Sequence, residues 1–275
     1  MHDAILQHFV KGQAGKLAVM EQGDPSGPAI LMSHSILSSS MMWEQQAQLL
    51  AACGWRVLRA DIRGHGGSEA GPSPYHMDDL VADSIAILDA LGIERAHYVG
   101  LSLGAMSGFG LGIRHPDRVL SLVLCDGRAD MPEALGAVWN ERIDASRAQG
   151  CSVLAHATTE RWFGKAFLET HPEIAQRFQD TIGLTQVEGF VGCAQAIQTL
   201  DYLPQASRIQ APTTLIVGAN DGPLPQVMNA LCGVIPNAQL EVIANAGHLP
   251  NIDQPIAFNA ALMRHFFQQP AWSKP

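Results

Sequence analysis

The stretch His97-Tyr98-Val99-Gly100-Leu101-Ser102-Leu103-Gly104-Ala105 decides the fold. It reads as a short apolar strand, a sharp turn and a helix that runs on through Met106 to His115. The turn has the pattern G-x-S-x-G, with Ser102 between Gly100 and Gly104. A strand-to-helix turn this tight forces its central residue into a strained backbone conformation. Side chains two positions away would collide with the adjoining strand and helix, so glycine is needed there. A serine hydroxyl is thereby held clear of the sheet at a helix N-terminus, where backbone N–H groups and the positive helix end face a developing oxyanion. The plainer alternative is a glycine-rich buried helix start with an incidental serine. The strand–turn–helix context favours a nucleophile.

Working outward, 275 residues suffice for one large α/β domain with an insertion. Hydrophobic residues make up 47% and charged residues 16%, which suits a well-buried core and argues against disorder. The net charge of −9, with no basic cluster, excludes nucleic acid as an expected partner. Cys53, Cys125, Cys151, Cys193 and Cys232 are odd in number and form no C-x-x-C pair. They read as reduced, mostly buried residues of a cytoplasmic protein. Met1-His2-Asp3-Ala4-Ile5 does not open a secretory signal. The apolar run 98–113 is rich in glycine and serine and short for a membrane span, so no membrane association is expected.

The remaining elements follow from periodicity and turn residues. Runs 5–10 and 16–22 form an opening hairpin, and strands are expected at 29–32, 55–60, 119–125, 213–217 and 239–243. Helices are expected at 42–53, 76–91, 225–234 and 254–267. From about 130 to 207 strand-like runs stop, and 133–150, 153–163, 172–184 and 189–199 read as helices. Strands alternating with helices imply a mostly parallel central sheet covered on both faces. The expectation is a core domain of residues 1–129 and 208–275 with a helical lid, 130–207, inserted into it. The tail 270–275 is expected to be loose.

In an open α/β sheet, ligands sit at the C-terminal ends of the strands. The polar residues there are the loop 33–40, Asp61, Ser102, Asp126, Asp221 and, after the last strand, His248. A serine needs a base, and an imidazole in that role needs a carboxylate to fix its tautomer. His248 is the expected base and Asp221 the expected acid, with Asp126 as rival; the chain order Ser, Asp, His suits this assignment. Leu103, next after the serine, supplies one oxyanion donor, and Ile36, with Ser35 as second choice, supplies the other. His34, Arg63 and His65 read as loop braces. No metal set and no dinucleotide fingerprint is present in the pattern, so no cofactor is expected.

The elbow, the Asp221 and His248 loops and the turn Asp61-Ile62-Arg63-Gly64-His65-Gly66-Gly67-Ser68 together resemble the α/β-hydrolase superfamily over nearly the whole chain. The inserted segment carries Trp139-Asn140-Glu141-Arg142-Ile143, Glu160-Arg161-Trp162-Phe163 and Glu188-Gly189-Phe190. With Ala246-Gly247-His248-Leu249-Pro250-Asn251, these resemble 3-oxoadipate enol-lactonases, which are cofactor-free serine hydrolases. The chain departs from that family at His34, where asparagine is usual, at Ser38, where glycine is usual, and at Ala105, where a second glycine is usual. The resemblance implies a small ester or lactone as substrate. The substrate-binding candidates are Ser35, Trp139, Trp162, Arg128 and Leu249, with Arg142 and Arg161 as further cations for a substrate carboxylate. A C–C hydrolase or perhydrolase on the same triad is the alternative, and a ligand receptor with vestigial hydrolysis a more distant one. The protein is expected to be a monomer or homodimer.

Overall fold

The computed structural model describes residues 5–268. Its sheet has eight strands: β1 (Leu6–Lys11), β2 (Lys16–Gly23), β3 (Ala29–Ser33), β4 (Arg56–Ala60), β5 (Ala96–Leu101), β6 (Val119–Cys125), β7 (Thr213–Gly218) and β8 (Gln239–Ile243). Their spatial order is β1-β2-β4-β3-β5-β6-β7-β8. β1 and β2 pair antiparallel, as does β2 with β4, and every other pairing is parallel. The α/β-hydrolase architecture expected from the sequence is therefore present. β3, β5 and β7 are buried along their whole length, because both faces of a parallel sheet are covered.

The covering helices are α1 (Glu44–Ala52), α2 (Met77–Ala90), α3 (Leu103–Arg114), then α4 (Gly136–Gln149), α5 (Ala155–Phe163), α6 (Lys165–Thr170), α7 (Pro172–Leu184) and α8 (Val187–Gln198), and finally α9 (Leu224–Val234), α10 (Pro250–Asp253) and α11 (Pro255–Phe267). α3 packs on β5 and β6, α1 on β2 and β4, and α9 on β7 and β8. Trp43, Trp55, Tyr98, Phe109, Phe258 and Phe266 are fully buried among them. Each such aromatic contributes on the order of 2 kcal/mol by leaving water.

Five helices, α4 to α8, lie between β6 and β7. The two ends of this insertion meet: Asp130 and Asp201 form a bridge, Met131 N–H donates to Leu200 O at 3.0 Å, and Tyr202 N–H donates to Ala129 O at 2.7 Å. α8 is fastened to the turn after β4. A Cβ at Gly189 would stand 2.4 Å from the Cα of Gly64, so neither backbone could approach the other with a larger residue. Gln186 adds its N–H to Gly64 O at 3.0 Å and its amide to Ser68 O at 2.9 Å.

Several boundaries differ from expectation. The expected helices 42–53, 133–150 and 153–163 each begin in a 3₁₀ turn, at Ser40–Trp43, Glu133–Leu135 and Cys151–Leu154. α6 was not expected, because six residues carry too little periodicity to register; Gly164, at φ 77°, separates it from α5. The expectations for residues 1–4 and for the tail 270–275 lie outside the described residues. Among the described residues no helix is long and apolar enough to cross a membrane.

Buried polar groups form a chain between β5, β6, β7 and α11. Ser121 Oγ lies 2.7 Å from His97 Nδ1 and 2.7 Å from His265 Nε2, whose Nδ1 lies 2.8 Å from Thr214 Oγ1. Burial pushes His97 down to about 4 and His265 to about 3. The folded state thus keeps both rings neutral where the unfolded chain, with an ordinary value of 6.5, takes up protons. Stability is undiminished above pH 6.5 and declines as the pH falls from there toward the folded values. The thermal midpoint, measured by circular dichroism from about pH 7.5 to about pH 4.5, is expected to fall steadily below about pH 6.5; a flat profile would contradict neutral buried rings.

Candidate active site

β5 hands the chain to α3 through Ser102, which adopts φ 56° and ψ −111°. Sterics leave no alternative on either side. A Cβ at Gly100 would stand 2.3 Å from Gly104 O, and one at Gly104 would stand 2.3 Å from Ser33 O. Ser102 N–H donates to Cys125 O at 2.9 Å, and Tyr98 Oη donates to Gly104 O at 2.8 Å. The left-handed conformation is held by these flanking contacts. Leu103 is the first residue of α3, so its N–H is among those a helix cannot satisfy internally.

The loop after β3 brings Ile36 to the same place. Its neighbours have spent their N–H groups: Ser35 on Met42 Sδ at 3.4 Å, Leu37 on His65 Nε2 at 3.0 Å, and Ser38 on Ser35 O at 3.1 Å. His34 and His65 brace the loop as expected from the sequence. His34 Nε2 accepts from Ile62 N–H at 2.9 Å, with Nδ1 against Ser35 O at 2.8 Å. His65 Nδ1 lies 3.1 Å from Arg63 O. Each ring therefore needs one protonated and one bare nitrogen. Burial pushes His34 down to about 4 and, helped by His34, His65 down to about 3. Arg63 grips Asp83 with two hydrogen bonds, at 2.6 and 2.8 Å, with its guanidinium 5.0 Å from the Tyr75 ring centre. Asp61 ties the turn back to the loop by accepting from Ser40 N–H at 2.6 Å and Gly67 N–H at 2.9 Å.

The ends of β7 and β8 supply the acid and the imidazole. His248 Nδ1 and Asp221 Oδ2 are 2.6 Å apart, and both side chains are buried. His248 Nε2 is buried without a hydrogen-bond partner. Burial depresses the imidazole despite the neighbouring Asp221 carboxylate, and Arg161 and Arg142 add to the depression. Burial works against the Asp221 carboxylate, but His248 and Arg161 hold it below its ordinary range. Arg161 Nη1 stands 3.7 Å from Asp221 Oδ1. One carboxylate oxygen from each of Asp126 and Asp221 and one ring nitrogen of His248 lie within 4.8 Å of one another. Asp221 and His248 are bonded to each other, and His248 Nε2 makes no other hydrogen bond.

Ser102, Asp221 and His248 share the wall of one cavity of about 350 Å³. Ile36 and Met106 also line it, and the insertion roofs it with Trp139, Arg142, Arg161 and Trp162. Arg128 lines it too, but its guanidinium is turned to Asp130, with Nε donating to the carbonyl at 2.6 Å. Arg142 makes no ion pair among the described residues; it donates to Thr158 Oγ1 at 3.2 Å and lies 4.8 Å from the Trp139 ring centre. Burial, reinforced by Arg161, pulls Arg142 down to about 10.

Two expected substrate contacts do not reach this cavity. Leu249 is wholly enclosed in the hydrophobic core, because the chain turns inward to start α10 there. Ser35 is also fully buried and is not among the residues lining the cavity. The sequence reading missed Leu135 and Val138 as wall residues. Their i, i+3, i+4, i+7 spacing with Trp139 and Arg142, running from the 3₁₀ turn into α4, is the signal that would have found them.

The profile of the α/β-hydrolase fold family matches residues 28–255. The chain is 35% identical to 3-oxoadipate enol-lactonase 2 of Acinetobacter baylyi, covering 87% of this chain and 89% of that protein. It is 26% identical to a putative carbamate hydrolase of Caulobacter segnis, over 86% of this chain and 90% of that one. Among solved structures, the enol-lactonase from Burkholderia xenovorans superposes with a TM-score of 0.91 at 31% identity, covering 95% of this chain and all (100%) of that one. A hydrolase from Pseudomonas aeruginosa superposes with a TM-score of 0.89 at 34% identity, covering 94% and 98%. A match of this extent, on a mostly parallel eight-stranded sheet, leads to one conclusion: the chain belongs to the α/β-hydrolase family.

Proposed function

We propose that this protein is a serine hydrolase that cleaves small carboxylic esters or lactones through an acyl-enzyme. The observation that carries this reading is His248. Its Nδ1 is held by Asp221 at 2.6 Å, and its bare Nε2 belongs to a cavity that also contains Ser102. Ser102 Oγ attacks the acyl carbonyl and passes its proton to His248 Nε2, while Asp221 stabilises the imidazolium. The N–H groups of Leu103 and Ile36 receive the oxyanion. The imidazolium then protonates the departing oxygen, which in a lactone stays attached to the acyl chain. Water, deprotonated by His248, attacks the acyl-enzyme and releases Ser102.

Likeness to two enol-lactonases supports a lactone ring as substrate, with 3-oxoadipate enol-lactone as the specific proposal. Arg142 supports a substrate bearing a second carboxylate, because it is a guanidinium in the cavity wall with no ion pair among the described residues. Residues 130–207 are read as a cap that roofs the site and excludes bulk water.

Ser102→Ala is expected to lower turnover of p-nitrophenyl acetate and of the enol-lactone by at least about 10³-fold, with a thermal midpoint close to that of the parent protein. Retained turnover would refute the nucleophile. Arg142→Gln is expected to lower the ratio of kcat/KM for carboxylate-bearing over neutral acyl substrates by about 10-fold, the worth of one charge-assisted hydrogen bond. An unchanged ratio in a panel of lactones, esters and carbamates would remove Arg142 from substrate recognition.

A further inference from the structure

Asp126 directly follows β6 and has φ 46°, a left-handed conformation that few residues other than glycine, asparagine and aspartate adopt readily. Its side chain is wholly buried, yet it forms part of the cavity wall with Ser102 and His248. Oδ1 accepts from Gly218 N–H at 2.9 Å, Oδ2 accepts from no N–H or O–H donor, and the carboxyl is paired with that of Asp221. Asp221 is beside it, and both carboxyl groups stand within 4.8 Å of a ring nitrogen of His248. The mechanism above uses Asp221 and leaves this second carboxyl without a task.

We propose that Asp126 is a positioning residue: a carboxyl that carries a proton at neutral pH, shares it with Asp221, and so keeps a single negative charge in front of His248. The reasoning is electrostatic. Two carboxylates this close in a buried site do not both ionise. Asp221 is the anion of the two, because His248 and Arg161 both face it. Asp126 has one backbone N–H as its stabilising contact, and Arg128, two residues on, is turned to Asp130. The other charged neighbour is Asp253, on α10, whose carboxyl accepts from Gly247 N–H at 2.6 Å and adds repulsion. Burial first, then the charge of Asp221, push the Asp126 carboxyl well above its ordinary range, in keeping with the geometry.

A consequence follows for the acid position. When Asp221 is neutralised, its repulsion is gone and the imidazolium at His248 draws Asp126 toward ionisation against burial and Asp253, so that its carboxylate supplies a negative charge near the ring from the neighbouring strand end. The pair is therefore a two-carboxyl unit with a reserve.

This inference rests on the triad reading, so one of its tests is independent of turnover. In infrared difference spectra at neutral pH, the parent protein minus Asp126→Asn is expected to show the C=O stretch of an un-ionised carboxylic acid. The same band is expected to vanish in Asp221→Asn, which covers the case that Asp126→Asn folds poorly. Bands of an ionised carboxylate alone in either difference would overturn the proposal. In kinetics, Asp221→Asn is expected to fall well short of the ~10⁴-fold loss seen when a triad loses its sole acid. The double variant Asp126→Asn/Asp221→Asn is expected to lose about a further 10-fold in kcat/KM, and its acidic pH limb to shift lower than in Asp221→Asn, because the last negative charge beside the imidazolium is gone. A double variant no slower than Asp221→Asn would overturn the reserve role. A protein without hydrolytic activity but with the infrared band would refute the function and leave the shared proton standing.

Discussion

The absence of room for a single methyl group at positions 100 and 104 governs this molecule. Gly100 abuts the carbonyl of Gly104, and Gly104 abuts the carbonyl of Ser33. Because strand and helix are pressed together at that distance, the residue between them takes a left-handed backbone. A hydroxyl is thereby aimed outward from the centre of the sheet without any flexible side chain to position it. A strained residue of this kind persists only where its surroundings over-determine it. Here β3, β6 and α3 all close on it. The strained residue and some of the most buried positions of the protein are consequently neighbours in the chain.

The second layer of the design is a set of uncharged imidazoles used as rivets. His34 and His65 each offer a bare Nε2 to a backbone N–H and keep Nδ1 on a carbonyl. This joins the loop after β3 to the turn after β4, leaving the Ile36 N–H as the remaining donor of its stretch. A charged ring could not do the same work, since an imidazolium has no acceptor. His34 alone performs two backbone contacts, one with Ser35 O and one with Ile62 N–H.

Much of this was legible in the residues. The elbow, the strand ends and the loop-bracing role of His34, Arg63 and His65 follow from local sterics and turn chemistry, which leave marks in the sequence. So did the change from alternating to helical pattern near residue 130, because hydrophobic periodicity survives without tertiary information. What was not legible depends on contacts between distant segments. Leu249 follows His248, yet it lies in the core, and only the path of α10 decides that. Three arginines looked equivalent in the sequence. They differ because Asp130 occupies Arg128, Asp221 attracts Arg161, and no carboxylate among the described residues reaches Arg142. Asp126 looked like a competitor of Asp221, whereas the structure sets the two side by side.

One backbone contact bears on how such a pocket can be remodelled. The N–H of His248 donates to the carbonyl of Trp162 at 2.8 Å, so the end of α5 is stitched to the loop carrying the imidazole. Tilting α5 to admit a bulkier acyl group would drag that ring out of register. Among the described residues α4 has no such hydrogen bond to this loop, and Val138 on it and Leu135 just before it are exposed. Diversification of substrate range, by natural drift or in a laboratory library, is therefore channelled toward α4, with α5 left as a fixed wall.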